Sequence, residues 1–226
     1  MKRIVFHIGG PAFHPVDQQA RAIADWLGER FAYAWYDGVE AFDHLDDCDL
    51  LVLMGLHWTG MKAEWGGRMV YRPMQEKHQQ AFRRYVASGR PLICHHGAIA
   101  SYDDWPDFGG LIGFTWRWGL TTHSPFGDYT IRVRPTGHPV IQNISDYRVQ
   151  DELYYNVQVA AEFNPVIHAD VEWSAVRRPM VMTAEGGRIA GAGKVVYLAN
   201  GHDMRAFECP ALRQLWMNTV NWCWNG

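Results

Sequence analysis

Histidine recurs where short apolar runs meet turns, and that placement is the first sign of chemistry in the chain. The run at residues 3–8 contains His7 and ends at Gly9-Gly10. The run at 49–54 leads through Gly55-Leu56 to His57-Trp58, and the run at 91–94 leads directly into His95-His96-Gly97. An imidazole near neutral pH can act as general base, as hydrogen-bond donor to a substrate oxygen, or as metal ligand. A lone histidine is ordinarily a packed residue whose ring is satisfied by backbone groups. Two adjacent ones at a single turn fit that explanation less well, and at least one of His95 and His96 is expected in a site.

The elements that would position these residues follow from periodicity. Residues 15–30 carry Ala20, Ile23, Ala24 and Leu27 at helical spacing, and 73–88 carry Met74, Ala81, Phe82, Tyr85 and Val86 before Gly89. With strands at 3–8, 32–36, 49–54 and 91–94, the opening reads β-α-β-β-α-β. That order predicts an α/β fold with a doubly wound, mostly parallel sheet and helices on both faces. Ligands of such sheets sit beyond the carboxyl ends of the strands, where the three histidine-bearing turns lie. Residues 101–143 are rich in Gly, Trp and Pro and read as an insertion with one strand near 129–133. Strands are expected again at 165–168 and 179–183, with turns at Gly186-Gly187 and Gly191–Gly193. A buried strand at 194–198 and an amphipathic helix at 212–224 close the chain. The absence of repeats, low-complexity segments and clear linkers predicts one domain over residues 1–226.

Composition narrows the classes of function. Of 226 residues 48% are hydrophobic and 20% charged, which supports a large core and excludes a disordered chain. The net charge of −3 is spread along the sequence, so no basic surface for nucleic acid or anionic membrane is expected. A small, neutral molecule is the expected partner. The start MKRIVFHIGG reaches Gly-Gly too soon for a signal-peptide core, and no apolar window is long enough to span a membrane. Cys48, Cys94, Cys209 and Cys223 form no CxxC pair and read as reduced thiols, consistent with a cytoplasmic location. Eleven Trp, ten Tyr and ten Phe serve either a large core or the stacking of sugar rings.

The segment PLICHHGAIAS places a tight turn between a buried strand and the start of a helix. Glutamine amidotransferases hold a cysteine at such an elbow, with glycine two residues later. Counting back two from Gly97 reaches His95; Cys94 lies one residue early, and a one-residue shift in a strand sends the side chain to the other face. The stretch Leu92-Ile93-Cys94-His95-His96-Gly97 resembles the elbow of ThuA-like (trehalose-utilisation) proteins, a branch of the class I glutamine amidotransferase-like superfamily with histidine at the cysteine position. Gly137-His138-Pro139-Val140, Asp151-Glu152-Leu153-Tyr154, Gly193–Leu198 followed by Gly201-His202-Asp203, and Asn221-Trp222 are similar to further motifs of that family, in the same order.

The resemblance implies an amidotransferase-like fold and adds candidates to the site. His202 follows the last strand as the triad histidine of amidotransferases does, and Asp203 would either orient it or cap the following turn. Glu152 would act as acid, base or ligand, beside Tyr154. His57-Trp58 falls at the oxyanion loop, His57 as a donor and Trp58 as a sugar-stacking ring. His14 and His123 join the substrate-binding candidates, whereas His138 reads as structural and His44, His78 and His168 as surface or core. His57, His95, His96, His123, His202 and Glu152 could also converge on a divalent metal such as zinc, although no local metal motif requires it.

Three functions remain open at this level. The first is an enzyme acting on a sugar or oxidised (keto) sugar by acid–base chemistry of His95, His96, His202 and Glu152, with a metal-dependent hydrolase using the same histidines as its nearest rival. The second is a non-catalytic carbohydrate-binding or regulatory protein. The third uses the Trp-rich insertion to pair with a partner or with a second copy as a homo-oligomer. All three share one expectation: no glutaminase activity, since a histidine cannot form the glutamyl thioester. An assay of ammonia release from glutamine should find none, and release that depends on Cys94 would contradict it.

Overall fold

The apolar runs of the sequence become strands whose two faces are both covered. A computed structural model describes residues 1–67, 70–185 and 193–224; the turns expected at Gly186-Gly187 and at Gly191 lie outside the described residues. In chain order the strands are β1 (Arg3–Ile8), β2 (Ala32–Asp37), β3 (Leu50–Leu53), β4 (Leu92–His95), β5 (Phe114–Thr115), β6 (Thr122–His123), β7 (Gly127–Val133), β8 (Tyr147–Asp151), β9 (Tyr154–Tyr155), β10 (Gln158–Val159), β11 (Val166–Trp173), β12 (Val176–Glu185) and β13 (Lys194–Leu198). The α-helices are α1 (Val16–Leu27), α2 (Glu76–Ala87), α3 (Asp107–Ile112), α4 (Met204–Phe207) and α5 (Pro210–Trp224). Every residue of β3 and β4 is buried, as strands inside a two-sided core should be.

Nine strands form the main sheet in the order β2-β1-β3-β4-β13-β12-β11-β7-β8. From β2 to β13 neighbouring strands are parallel. From β13 to β8 they are antiparallel. The fold is therefore a mixed α/β fold, and the expectation of a mostly parallel sheet needs correction, because half of the pairings are antiparallel. One of the four antiparallel pairings is a tight hairpin. β11 and β12 are joined by Ser174-Ala175, both at positive φ (52° and 57°), a two-residue turn that sequence usually announces with Asn-Gly.

Helices cover both faces of the parallel half. Phe6 stacks on Trp35 with ring centroids 6.1 Å apart, and Arg21 of α1 lies over Trp35. The next residue, His7, points to the opposite face, where Phe42 meets Phe82 of α2 at 5.3 Å. α1 stops at Gly28 (φ +67°), which leads into β2. Among the described residues no helix is long and apolar enough to cross a membrane.

Strand direction decides what reaches the site. The carboxyl ends of β1, β3, β4 and β13 share one edge because these strands are parallel. Four antiparallel steps separate β13 from β8, so β8 points the same way and delivers Asp151 and Glu152 to that edge. The ribbon β7-β8 joins β11 through only two residue pairs, Ala169 with Val133 and Asp170 with Arg132. Beyond that joint, Asp151 of β8 is bonded to the turn that follows β13.

Candidate functional site

The turn after β4 separates its two histidines. His96 adopts φ = +41°, a left-handed conformation that costs a non-glycine residue about 1–3 kcal/mol and persists only where its surroundings enforce it. His95, the last strand residue, is fully buried away from the cleft. Its Nε2 lies 3.3 Å from Gln19 Oε1 and its ring packs against Phe207 and Trp216. Burial pushes its pKa down to about 3, so it is neutral. His96 turns into the cleft, its ring centroid 4.1 Å from that of Tyr154. A side chain on Gly97 would press on the His14 ring, at 2.9 Å, so glycine is required there. Cys94 is buried, and burial pushes its thiol well above the usual range, which removes it as a nucleophile.

Four ligand-type residues converge at this point. One atom each from His14, His96, Glu152 and His202 lies within 4.8 Å of the others. Glu152 Oε1 is 3.1 Å from His202 Nδ1 and 3.4 Å from His96 Nε2, and His202 Nδ1 is 3.0 Å from His14 Nε2. The other carboxylate oxygen, Oε2, is 3.1 Å from His123 Nδ1, which also lies 2.9 Å from the Ser124 carbonyl. Burial works against the Glu152 charge, but hydrogen bonds from His123 and His202, with the His96 ring beside them, hold the carboxyl far below the usual range. The hydrogen bond to Glu152 raises His123 to about 8. Burial, with His96 and His202 alongside, holds His14 well below its ordinary value.

The donor set fits a divalent cation. Ligands bound at 2.0–2.1 Å in a tetrahedron stand about 3.3 Å apart; three of the six pairs here lie at 3.0, 3.1 and 3.4 Å, and all lie within 4.8 Å. His96 Nδ1 donates to the Ala199 carbonyl at 2.7 Å, which leaves the neutral ring with its lone pair on Nε2. That Nε2 is buried and, among the described residues, has no well-aligned hydrogen-bond partner. A lone pair 3.4 Å from a carboxylate oxygen is repulsive unless a proton or a cation lies between them. In the protein alone a proton fills this role: burial opposes the charge on His96, yet Glu152 and Asp151 raise its pKa.

Asp151, which sequence reasoning passes over, holds His202 in place. It is fully buried and accepts from Asn200 Nδ2 (3.0 Å) and from the backbone N–H groups of Gly201 (2.8 Å) and His202 (2.9 Å). Gly201, at φ = +130°, would collide with the His95 ring if it carried a side chain. The carboxylate thus clamps the turn after β13 while the next residue, Glu152, faces the histidines.

A cavity of about 400 Å³ opens over this cluster, with His14, His123, Glu152, Tyr154 and His202 at one end. Phe13, Leu56, Trp58, Trp65, Trp116 and Trp118 are among its other walls. A larger groove, about 760 Å³ beside α1 and β2, holds no histidine, cysteine or hydroxyl other than that of Tyr33 and lies apart from this chemistry.

Three expected members are placed differently. His57 donates from Nε2 to the Ile8 carbonyl (2.9 Å) and is wedged against Gly38 and Gly55, so it offers the cavity no donor. Trp58 reaches the cavity, but Trp65 and Trp118 stack on it at 5.5 and 5.8 Å and occupy its faces. Asp203 caps α4 by accepting from Arg205 N (2.8 Å) and pairs with the Arg205 guanidinium, and so does not orient His202. His95 is the fourth exception, turned toward Gln19.

The clamp generates a prediction. Asp151→Asn keeps the shape but replaces one acceptor oxygen with a donor, freeing part of the turn. Affinity for zinc should fall about 10–100-fold, the usual effect of losing a group that orients a ligand. Isothermal titration of the folded variant checks this, and wild-type affinity would show that the clamp does not orient His202.

Comparison with known proteins agrees with this architecture. A ThuA-like protein from Parabacteroides merdae superposes with a TM-score of 0.77 at 16% identity, covering 100% of this chain and 90% of its own. One from Bacteroides uniformis gives 0.72 at 15% identity, covering 99% and 91%. A Thermoplasma acidophilum protein described as a GMP synthase subunit gives 0.57 at 12% identity, covering 99% and 94%. At these identities the likeness establishes the fold alone. No curated protein shows significant sequence similarity to the chain. The ThuA family, described as trehalose utilisation, matches residues 14–223, and the chain belongs to that family.

Proposed function

We propose that the protein is an enzyme that binds a divalent cation, zinc by its donor set, through His14, His96, Glu152 and His202 and acts on a sugar in the cavity above. The observation that carries this reading is the convergence of four ligand atoms within 4.8 Å, one of them the buried, unpartnered Nε2 of His96. Three nitrogens and one oxygen suit zinc better than magnesium or calcium, which favour all-oxygen shells. A carbohydrate is supported by the family, described as trehalose utilisation, and by a cavity lined, among the described residues, by no Lys or Arg.

The metal-free alternative, acid–base work by Glu152, is disfavoured by the same geometry. Efficient proton transfer needs a pKa near the working pH. Three imidazoles hold Glu152 as a carboxylate far below that point. It is better suited to hold a cation and to orient His123, whose Nδ1 it engages at the cavity rim. His96 is fixed through the Ala199 carbonyl and His202 through the Asp151 clamp, so both rings are set before any ligand arrives. A bound cation would supply Lewis-acid polarisation of a sugar oxygen or of water.

The parallel half, ordered β2-β1-β3-β4-β13, supports a flavodoxin-like, doubly wound core extended by an antiparallel wing. Four free cysteines support a cytoplasmic location.

Elemental analysis and thermal unfolding test the cation. Chelation should lower Tm and zinc should restore it, because a ligand bound only by the native state at 100 times its Kd adds about 2.7 kcal/mol. His96→Ala and Glu152→Gln should abolish the response. Native protein without stoichiometric metal and indifferent to zinc and manganese would remove the proposal.

A further inference from the structure

The cavity is divided by chemistry. Its imidazoles and its carboxylate lie together at one end, around Glu152. The opposite wall is a ladder of three indoles, Trp65, Trp58 and Trp118, stacked at 5.5 and 5.8 Å with tilts of 21° and 23°. Phe13 meets Trp65 edge-on at 6.1 Å and stacks on His202 at 6.2 Å, joining the apolar trough to the histidine end. Among the described residues that line it, this wall offers only indole N–H groups as polar atoms, and the Lys62 ammonium lies over Trp65, 5.5 Å from its centroid. Phe13 and Trp118 remain 43% and 48% exposed at the mouth, in a protein that buries most of its aromatic residues.

A second sugar ring would be poorly served there. Each hydroxyl carried against the indoles would give up water without gaining a partner, whereas a flat apolar ring loses nothing and gains by leaving water. Trp116, with its ring 4.8 Å from Tyr154 and 5.7 Å from Trp118, joins the two ends. Its buried indole N–H has no partner among the described residues. One donor at that junction suits the single bridging oxygen of a glycoside and not the several hydroxyls of another sugar. At about 400 Å³ the cavity is near the small end of ligand sites, with room for a ligand of about two rings.

We propose that the substrate is a neutral glycoside whose sugar lies over the histidine cluster and whose other half is a flat, apolar, aromatic group against the tryptophan ladder. The inference rests on the reading of the cavity as a sugar site and adds the identity of the second half, which the family description would make another sugar.

Calorimetry on zinc-loaded protein tests it, with phenyl and methyl glycosides of glucose and galactose in both anomers, and with trehalose, maltose, cellobiose and lactose. At least one phenyl glycoside should bind about tenfold or more tightly than its methyl counterpart and than every disaccharide. Trp118→Ala, at a half-exposed position whose loss the fold should tolerate, should bring the ratio of methyl to phenyl Kd toward one, and Trp65→Ala at the other end of the ladder should do the same. A disaccharide that binds as tightly as the best phenyl glycoside, or a ratio unmoved by both substitutions, would overturn the inference and leave the sugar site standing. Binding of no glycoside at all would overturn the sugar site and this inference with it.

Discussion

The buried carboxylate of Asp151 is the interaction on which the site depends. Removing a carboxylate from water is costly unless hydrogen-bond donors replace the water, and here the donors come from Asn200, Gly201 and His202. The compensation ties together segments about fifty residues apart. It draws the end of β8 onto the turn after β13 and so closes the antiparallel wing over the parallel half. It also aims the His202 ring at Glu152, the residue that follows Asp151. A single desolvated charge thereby links the topology of the sheet to the geometry of the cluster.

The electrostatics of that cluster are unusual for a structural network. Three imidazoles and a carboxylate face one another within a few ångströms, and His96 is fixed by Ala199 so that its free nitrogen points at an anion. Apart from a cation, only protons shared among the rings can reconcile such an arrangement. The strained turn at His96 points the same way, since left-handed backbone at a bulky residue is held by its surroundings and tends to mark sites of function. The aromatic trough above adds a dry wall close to the ligands, which strengthens whatever electrostatic interactions operate there.

Much of this is legible in the sequence, and the gaps have physical causes. The apolar runs of β1, β3, β4 and β13, and the turns that end them, locate the functional edge of the sheet. The adjacent pair His95-His96 locates the elbow but not which ring enters the cleft, because the outcome depends on the positive φ of His96. One hairpin of the antiparallel wing is obscured by its turn, Ser174-Ala175, which carries no Asn or Gly. Without that wing there is no topological reason for Glu152 to reach the histidines. Direction along β8 supplies it. Trp58 reads as a platform for sugar, yet its faces are taken by Trp65 and Trp118, a stacking that spacing along the chain cannot reveal. Asp203 has two readings in the sequence, and its bond to Arg205 N selects the helix cap.

The central claim is that His14, His96, His202 and Glu152 form a preorganised shell for one divalent cation. X-ray absorption spectroscopy of the protein reconstituted with one equivalent of zinc examines that shell directly. The account predicts nitrogen and oxygen neighbours at about 2.0–2.1 Å with the outer-shell scattering of about three imidazoles and no sulfur. A shell containing sulfur, or one of oxygens alone without imidazole scattering, would contradict it.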